Sequence, residues 1–166
     1  MSGGGWWSAK VRRFVRYFTG RVSDAERRSL SHWLTPDQLA LFDSMHRADQ
    51  RHGLDVVRTL EADGRADADL LLAGLLHDCG KGRDLRLWHR IGWSLAERYG
   101  SRVERLMLVL PTFGRAFKTM DEHAQSSAEL ALAAGANAAT ADLIRHQAEP
   151  LDDERGRALL LADQAN

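Results

Sequence analysis

Six histidine and aspartate side chains recur on the apolar faces of predicted helices, where they could together bind metal ions. They are His52, His77, Asp78, His123, His146 and Asp163. A single histidine on an apolar helix face is more often a hydrogen-bonded core residue, and Asp163 alone could face solvent. All six together would leave several buried polar groups unsatisfied unless a cation held them, because burying an unpaired imidazole or carboxylate is costly. The pattern therefore predicts a metal site.

The donor types indicate which chemistry that site would perform. Neutral imidazole with carboxylate suits Mn, Fe, Co, Ni or Zn, and the lack of thiolate ligands argues against a purely structural zinc. The adjacent residues His77 and Asp78 end a leucine-rich run, LLAGLLHDCGK, and the two oxygens of Asp78 could bridge two cations. Two cations roughly 3.5–4 Å apart stabilise the attacking and leaving oxygens of a phosphoryl displacement. The single cysteine, Cys79, is predicted to be a small buried apolar residue.

Helices would have to position these side chains, because the apolar residues follow a helical spacing throughout and no alternating strand pattern occurs. One amphipathic stripe is formed by Val11, Phe14, Val15 and Phe18. Thr35 is predicted to cap another helix, with Gln38 closing a capping box. Further helices are predicted over residues 24–33, 47–62, 67–79, 84–99, 101–110, 118–134, 138–148 and 152–165.

Glycines and prolines punctuate this pattern. C-terminal caps are predicted at Gly64, Gly80, Gly100 and Gly135. Pro111 and Pro150 are expected to lie between helices, with residues 111–118 forming a loop. We therefore predict an all-α fold, a compact multi-helix bundle with an N-terminal amphipathic helical extension.

Charge divides the chain into two regions. Residues 1–35 hold seven Lys or Arg against two acidic residues and six of the twelve aromatic residues, so they are predicted to be a basic extension preceding a domain of residues 36–166. Three roles stay open for residues 6–21: packing against the domain, which we favour, contact with an anionic membrane surface, or contact with nucleic acid. No apolar run approaches the roughly 18 residues of a membrane span and no signal peptide is recognisable, so we expect a cytoplasmic protein.

The order His, His-Asp, His, His, Asp resembles that of the HD superfamily of metal-dependent phosphohydrolases. The resemblance covers about residues 36–166 and is carried by the stretches QRHGLDVVRTL, LLLAGLLHDCGKG, DEHAQSSAELA, DLIRHQAEP and LLLADQAN. It implies an HD-like helical bundle that hydrolyses a phosphomonoester or phosphodiester, with a nucleotide among the candidate substrates. Gln147 stands where cyclic-di-nucleotide phosphodiesterases of this superfamily have a second histidine, and their Gly-Tyr-Pro element is missing, which argues against cyclic-di-nucleotide substrates.

The resemblance also implies how the ligands would be shared. One cation would be held by His52, His77, Asp78 and Asp163, and a second by Asp78, His123 and His146. Lys81 would help to hold a substrate phosphate, although a solvated cation at a helix C-terminus is an equally good interpretation. Asp78 and Lys81 are thus the candidate catalytic residues.

Arginines and histidines outside the ligand set could also contribute to the site, and a function without catalysis is the alternative. Arg47, Arg51 and Arg145 flank ligand positions and could meet an anionic substrate, but flanking arginines more often lie on solvated helix faces. His32, His46 and His89 are expected to be surface or structural residues. The alternative function is a non-catalytic HD-type signalling or scaffold domain that binds a nucleotide or metal without turning anything over.

Overall fold

Residues 19–152 and 154–166 are described by a computed structural model of the chain. Nine α-helices lie wholly within these residues, and none of the described residues forms a strand, which confirms the all-α class. The helices are α1 (Asp24–Leu30), α2 (Pro36–Ser44), α3 (Arg47–Ala62), α4 (Ala68–Leu76), α5 (Leu87–Tyr99), α6 (Ser101–Leu108), α7 (Phe113–Ala133), α8 (Ala138–Arg145) and α9 (Arg155–Ala165). A 3₁₀ turn, Cys79–Lys81, follows α4.

Helix α4 is the centre of the bundle. Its sequence ADLLLAGLL is apolar almost all round, and the helix packs against α3, α8 and α9. Gly74 lets α3 approach closely, because a Cβ at this position would lie 3.0 Å from a Leu60 methyl carbon. A helix that is apolar on all sides must be enclosed by others. The two polar residues that follow α4, His77 and Asp78, are therefore carried into the interior.

Several predicted boundaries agree with the structure. Helix α3 spans the predicted residues 47–62. The capping box at the start of α2 is confirmed. The Thr35 hydroxyl accepts from the Gln38 backbone N–H at 3.2 Å, and the side-chain Oε1 of Gln38 accepts from the Thr35 backbone N–H at 3.0 Å. Cys79 is buried, as predicted.

The start of α7 differs from the prediction. Residues 113–117 were assigned to a loop, whereas the helix begins at Phe113. Phe113 and Phe117 pack with Ala96 of α5 in a small apolar cluster, which holds this extra turn in place. Thr112 precedes the helix with a φ of 74° and its hydroxyl oxygen lies 2.8 Å from Nε2 of His89. The spacing of apolar residues along the chain does not predict these contacts between α7 and α5.

Six other predicted helices are shorter in the structure; among them α1 ends at Leu30 instead of residue 33, α5 begins at Leu87 instead of residue 84, and α6 ends at Leu108 instead of residue 110. Helix α4 ends at Leu76 instead of residue 79, and α8 ends at Arg145 instead of residue 148. Helix α9 begins at Arg155 instead of residue 152. Asp152 lies before the helix, where its Oδ1 accepts from the Gly156 backbone N–H at 3.0 Å. The end of α4 matters most, since it leaves His77 and Asp78 on a turn.

The first described residues belong to the same core as the rest. Leu30 and Leu34 are buried together with Phe42 and other core residues of later helices. The predicted helix of residues 11–18, and most of the 6–21 segment with its three candidate roles, lie outside the described residues. Among the helices that are described, none has the length and apolar character needed to cross a bilayer.

Candidate metal centre

The six candidate ligands come from five elements of the bundle. His52 lies on α3, His77 and Asp78 directly follow α4, and His123 lies near the middle of α7. His146 directly follows α8, and Asp163 lies in the last turn of α9. The packing of α3, α8 and α9 around α4 brings four of these elements towards the end of α4.

His77 is the most deeply buried of the candidate histidines. Its side chain is 2% exposed, and its Nδ1 lies 2.9 Å from the carbonyl oxygen of Gly74, to which it donates. The ring is therefore oriented with Nε2 directed to the interior. Among the described residues, this Nε2 is one of two buried side-chain nitrogens or oxygens with no hydrogen-bond partner. A buried nitrogen left without a hydrogen-bond partner costs free energy of folding, and a ligand bound to Nε2 would offset that cost.

His52 and Asp163 lie beside this nitrogen. Nε2 of His52 lies 2.7 Å from Oδ1 of Asp163, and Nε2 of His77 lies 3.7 Å from the same oxygen. The two imidazole rings are 5.1 Å apart at their centroids, and one donor atom from each of the three residues falls within 4.8 Å of the others. Two imidazole nitrogens and a carboxylate oxygen gathered this closely form a donor set suited to a first-row divalent metal.

Asp78 extends the cluster to a fourth and a fifth residue. Its Oδ1 lies 3.6 Å from Nε2 of His77 and 3.7 Å from Nε2 of His123. Nδ1 of His123 lies 2.5 Å from the carbonyl oxygen of Met120, so this ring also directs Nε2 towards the carboxylate. Both His77 and His123 are thus fixed in one tautomer by a backbone carbonyl, which is the usual way in which metal-binding imidazoles are oriented.

Lys81 makes the closest contact to the second oxygen of Asp78. Its Nζ lies 2.6 Å from Oδ2, and the lysine side chain is only 15% exposed. The interpretation of Lys81 as a solvated cation is therefore wrong. The ammonium is a partly buried positive charge fixed to the central carboxylate.

His146 is the candidate that the structure does not join to the others. It directly follows α8 and is half-buried, but no hydrogen bond or ion pair within residues 19–152 and 154–166 links its imidazole to the other five. Its neighbour Gln147 does reach the cluster, because the side-chain amide of Gln147 donates to the carbonyl oxygen of His77 at 3.2 Å.

The charges of the cluster act strongly on its titratable groups. Although burial opposes ionisation, Lys81 and the neighbouring imidazoles hold the pKa of Asp78 well below its usual range. Burial likewise opposes ionisation of Asp163, but its contacts with His52 and His77 keep its pKa low. Burial also opposes protonation of His77, yet the two carboxylates raise its pKa to about 9. Two ionised carboxylates in a buried site thus attract positive charge.

His123 and Cys79 behave differently. Burial, reinforced by the charge of Lys81, lowers the pKa of His123, which keeps this imidazole in the neutral form that binds metals. Burial raises the pKa of Cys79 to about 12, so its thiol stays protonated. The donors at this site are consequently nitrogen and oxygen atoms, as the sequence pattern indicated.

Two supporting residues were missed by sequence reasoning. The Ser127 hydroxyl accepts from the Gly80 backbone N–H at 2.8 Å, and Gln147 binds the His77 carbonyl as described above. The sequence pattern gives Ser127 no role of its own. Its spacing of four residues from His123 was the available signal for a supporting role.

Gly80 is not the predicted helix cap. It lies in the 3₁₀ turn, where an added Cβ would be 2.5 Å from the carbonyl oxygen of His123 and 2.7 Å from the Ser127 backbone nitrogen. Only a residue without a side chain allows the turn to pack this closely on α7. The glycine thereby holds Asp78 and His123 at their observed separation.

The remaining cationic candidates have other partners or face solvent. Arg51 pairs with Glu26 at 2.6 Å and with Asp55 at 2.7 Å. Arg145 pairs with Asp142 and with Gln125, and Arg47 is exposed. His46 caps α3, His89 binds Thr112 and His32 is exposed, which agrees with the expectation of surface or structural roles.

A separate cavity lies away from this cluster. It has a volume of about 320 Å³ and is lined by residues of α1, α3, α4 and the segments that adjoin them, including Trp33, Leu54 and Glu61. None of the six candidate ligands lines it. The open side of the cluster itself is formed by His123 and Asp163, whose side chains are 21% and 35% exposed.

The residues present fit a divalent metal on their own chemistry. The orphaned Nε2 of His77, the shared oxygen of Asp163 and the neutral tautomer of His123 all face one interior region. Comparisons with protein-family models, curated proteins and solved structures gave no match to this chain.

Proposed function

We propose that this protein is a metal-dependent phosphohydrolase that hydrolyses a phosphomonoester or phosphodiester. The observation that carries the proposal is the buried, unpartnered Nε2 of His77 beside the carboxylates of Asp78 and Asp163. The resemblance of the ligand order to the HD superfamily gives the reaction class. A nucleotide is the candidate substrate that this resemblance favours.

His52, His77, Asp78 and Asp163 would hold the first cation. When bound, a divalent cation would lower the pKa of a water molecule and offset the negative charge of a phosphate. A cation that displaced the proton of His77 would be bound by the Nε2 lone pairs of His52 and His77, and the carboxylates would supply the negative charge that retains it. The second group implied by the resemblance, Asp78 with His123 and His146, is supported less well because His146 lacks a contact with the other two.

The chain's own groups would also orient a phosphate. Lys81 places a positive charge against Asp78, close to the open side of the site formed by His123 and Asp163. A phosphate that approached from this side would meet a fixed ammonium, and a point charge of this kind is well suited to an anionic oxygen. His77 and Asp78, at 1% and 4% exposed, keep the inner face of the site free of bulk water.

The test is metal-dependent turnover with ligand variants. Protein stripped with chelator would be loaded in turn with Mn, Fe, Co, Ni and Zn and assayed with nitrophenyl phosphate, its bis-ester and a nucleotide panel. We expect His77→Ala and Asp78→Ala to lose at least about 100-fold in turnover, because each removes a ligand. The exposed residue His32 gives the matched control, and His32→Ala should retain wild-type turnover.

Two outcomes would contradict the proposal. Metal-loaded protein that releases no phosphate from any substrate, yet binds nucleotides, would instead support the non-catalytic scaffold. Turnover that survives in His77→Ala would place the activity elsewhere in the chain.

A further inference from the structure

Asp78 divides its two oxygens between different partners. Oδ1 lies between the Nε2 atoms of His77 and His123, at 3.6 and 3.7 Å, whereas Oδ2 is bound by Lys81 Nζ at 2.6 Å. A carboxylate that bridges two cations must offer one oxygen to each of them. In this chain the second oxygen is already matched by a positive charge from a neighbouring residue.

We infer that Lys81 takes the place of a second cation, so that the protein binds one divalent ion at His52, His77, Asp163 and Oδ1 of Asp78. The inference rests on the proposed metal-dependent function and specifies the number of ions at that site. Lys81 would be a positioning residue that neutralises Asp78 internally. His123 would then contact the carboxylate without being part of a complete second donor set.

The backbone around Lys81 is fixed, which keeps its ammonium at Asp78. Lys81 belongs to the 3₁₀ turn, where its N–H donates to the Asp78 carbonyl oxygen at 3.1 Å. The preceding Gly80 is packed against α7 and bonded to Ser127. The lysine side chain is 15% exposed, and its partner Asp78 lies only three residues earlier in the sequence. It is therefore a built-in charge and not a mobile surface lysine.

A second ion would have to displace this charge. An ion bound to Oδ2 would lie against the ammonium, and like charges in a site with little water repel strongly. The first donor set does not meet this obstacle, because His52, His77 and Asp163 approach one another without using Oδ2 of Asp78. The second set is also short of a ligand, since His146 makes no contact with Asp78 or His123 among the described residues.

Metal stoichiometry tests this inference without any substrate. Chelator-stripped full-length protein would be titrated with Mn²⁺ by calorimetry, and bound metal would be counted by elemental analysis after gel filtration. We expect one ion per chain in the wild type and two in Lys81→Met, whose side chain has a similar length and no charge. The affinity for the second ion should rise by at least about tenfold, because the variant removes the repulsion between that ion and the ammonium.

Variants of matched character separate charge from general effects. Lys81→Arg keeps the positive charge and should bind one ion. Lys118→Met removes an exposed lysine from α7, five residues from His123, and should also bind one ion. The double variant Lys81→Met with His123→Ala should return to one ion, which would assign the second ion to His123.

Each alternative result has a distinct meaning. Two ions in the wild type would overturn the inference and leave the phosphohydrolase proposal standing. One ion in Lys81→Met would also overturn it, and Lys81→Gln would serve if the methionine variant did not fold. No ion in the wild type would overturn the proposed function itself, and turnover assays on the same samples would distinguish that case.

Discussion

The backbone N–H of Gly80 donates to the hydroxyl oxygen of Ser127 at a distance of 2.8 Å, and this bond joins the turn that carries Asp78 to the helix that carries His123. Ser127 is completely buried, so the bond is sheltered from water. One turn of α7 separates Ser127 from His123. The same contact therefore sets how far apart the central carboxylate and the α7 imidazole can lie.

Replacement of Gly80 should disrupt this contact. A Cβ at Gly80 would lie 2.5 Å from the carbonyl oxygen of His123, which is backbone and cannot rotate away. We expect Gly80→Ala to lower the free energy of unfolding by about 1–3 kcal/mol, the range for overpacked sites, and to weaken metal binding. Urea denaturation and metal titration would measure the two effects.

Gly114 provides the control for that substitution. It lies in the first turn of the same helix, α7, and an added Cβ would meet no atom within 4 Å. Gly114→Ala should be neutral or stabilise the protein by up to about 1 kcal/mol, because alanine loses less conformational entropy in a helix. Equal stability of the two variants would show that Gly80 is not closely packed.

Asp163→Asn should separate metal binding from folding. The amide keeps the shape of the carboxylate but loses its charge and one acceptor oxygen, so metal affinity should fall by at least about 100-fold. Wild-type protein with metal at 1,000 times its dissociation constant should gain about 4 kcal/mol of stability, and the variant should lose most of this gain at the same concentration. Thermal unfolding with and without chelator would measure it.

Asp121→Asn is the matched control, since Asp121 is exposed and lies two residues before His123. It should show the full stabilisation by metal. A variant of Asp163 that retained wild-type metal affinity would remove this residue from the donor set.

The ion pair between Asp49 and Arg90 should be important for stability. Both guanidinium Nη atoms lie 2.6 Å from the Asp49 carboxylate, whose side chain is 5% exposed, and the pair joins α3 to α5 one turn before His52. Asp49→Asn would remove the buried carboxylate charge that faces Arg90 and should cost about 3–5 kcal/mol. Chemical denaturation would measure the loss.

A double variant identifies the origin of that cost. Asp49→Asn combined with Arg90→Met removes both charges, so it should be less destabilised than the sum of the two single variants. Strict additivity would argue that the two residues act independently.

The pH dependence of stability should contain a contribution from Glu26. Hydrogen bonds from Arg51 and from the Ser23 backbone lower the pKa of Glu26 from 4.5 to about 2. A lowered folded-state pKa stabilises the protein above the unfolded pKa, and this contribution is lost as the pH falls through the folded pKa. We expect about 1–2 kcal/mol at pH 6, reduced because the carboxylate is partly exposed, and progressively less between pH 4.5 and 2.

Urea denaturation at pH 6, 4 and 3 would test this expectation. The stability difference between wild type and Glu26→Gln should shrink as the pH falls. A difference that stayed constant with pH would show that Glu26 acts through something other than its charge.

Helical periodicity predicted the fold class and the bounds of α3, because that helix presents a single apolar face to the core. It missed the first turn of α7, which depends on Phe113 and Phe117 packing against α5. It also extended α4 by three residues, because a leucine run contains no signal for the 3₁₀ turn that follows. Boundaries set by contacts between distant helices cannot be found from local spacing.

The candidate site was predictable to a similar degree. The search for polar residues on apolar helix faces selected His52, His77, Asp78, His123 and Asp163. In the structure each of these residues has a nitrogen or oxygen atom within 4.0 Å of another member of the set. The pairing of Lys81 with Asp78 and the separation of His146 depend on side-chain directions that spacing does not specify. The six-residue ligand set stays a prediction, as do the bound metals.

His52 and Asp163 are 111 residues apart in the chain and touch in the folded protein. A contact with so long a loop forms slowly, because the entropy of closing the loop must be overcome before the contact contributes. During synthesis on the ribosome, the donor set would remain open until α9 had emerged and docked. Metal binding would thus require that α9 has already docked against the other helices.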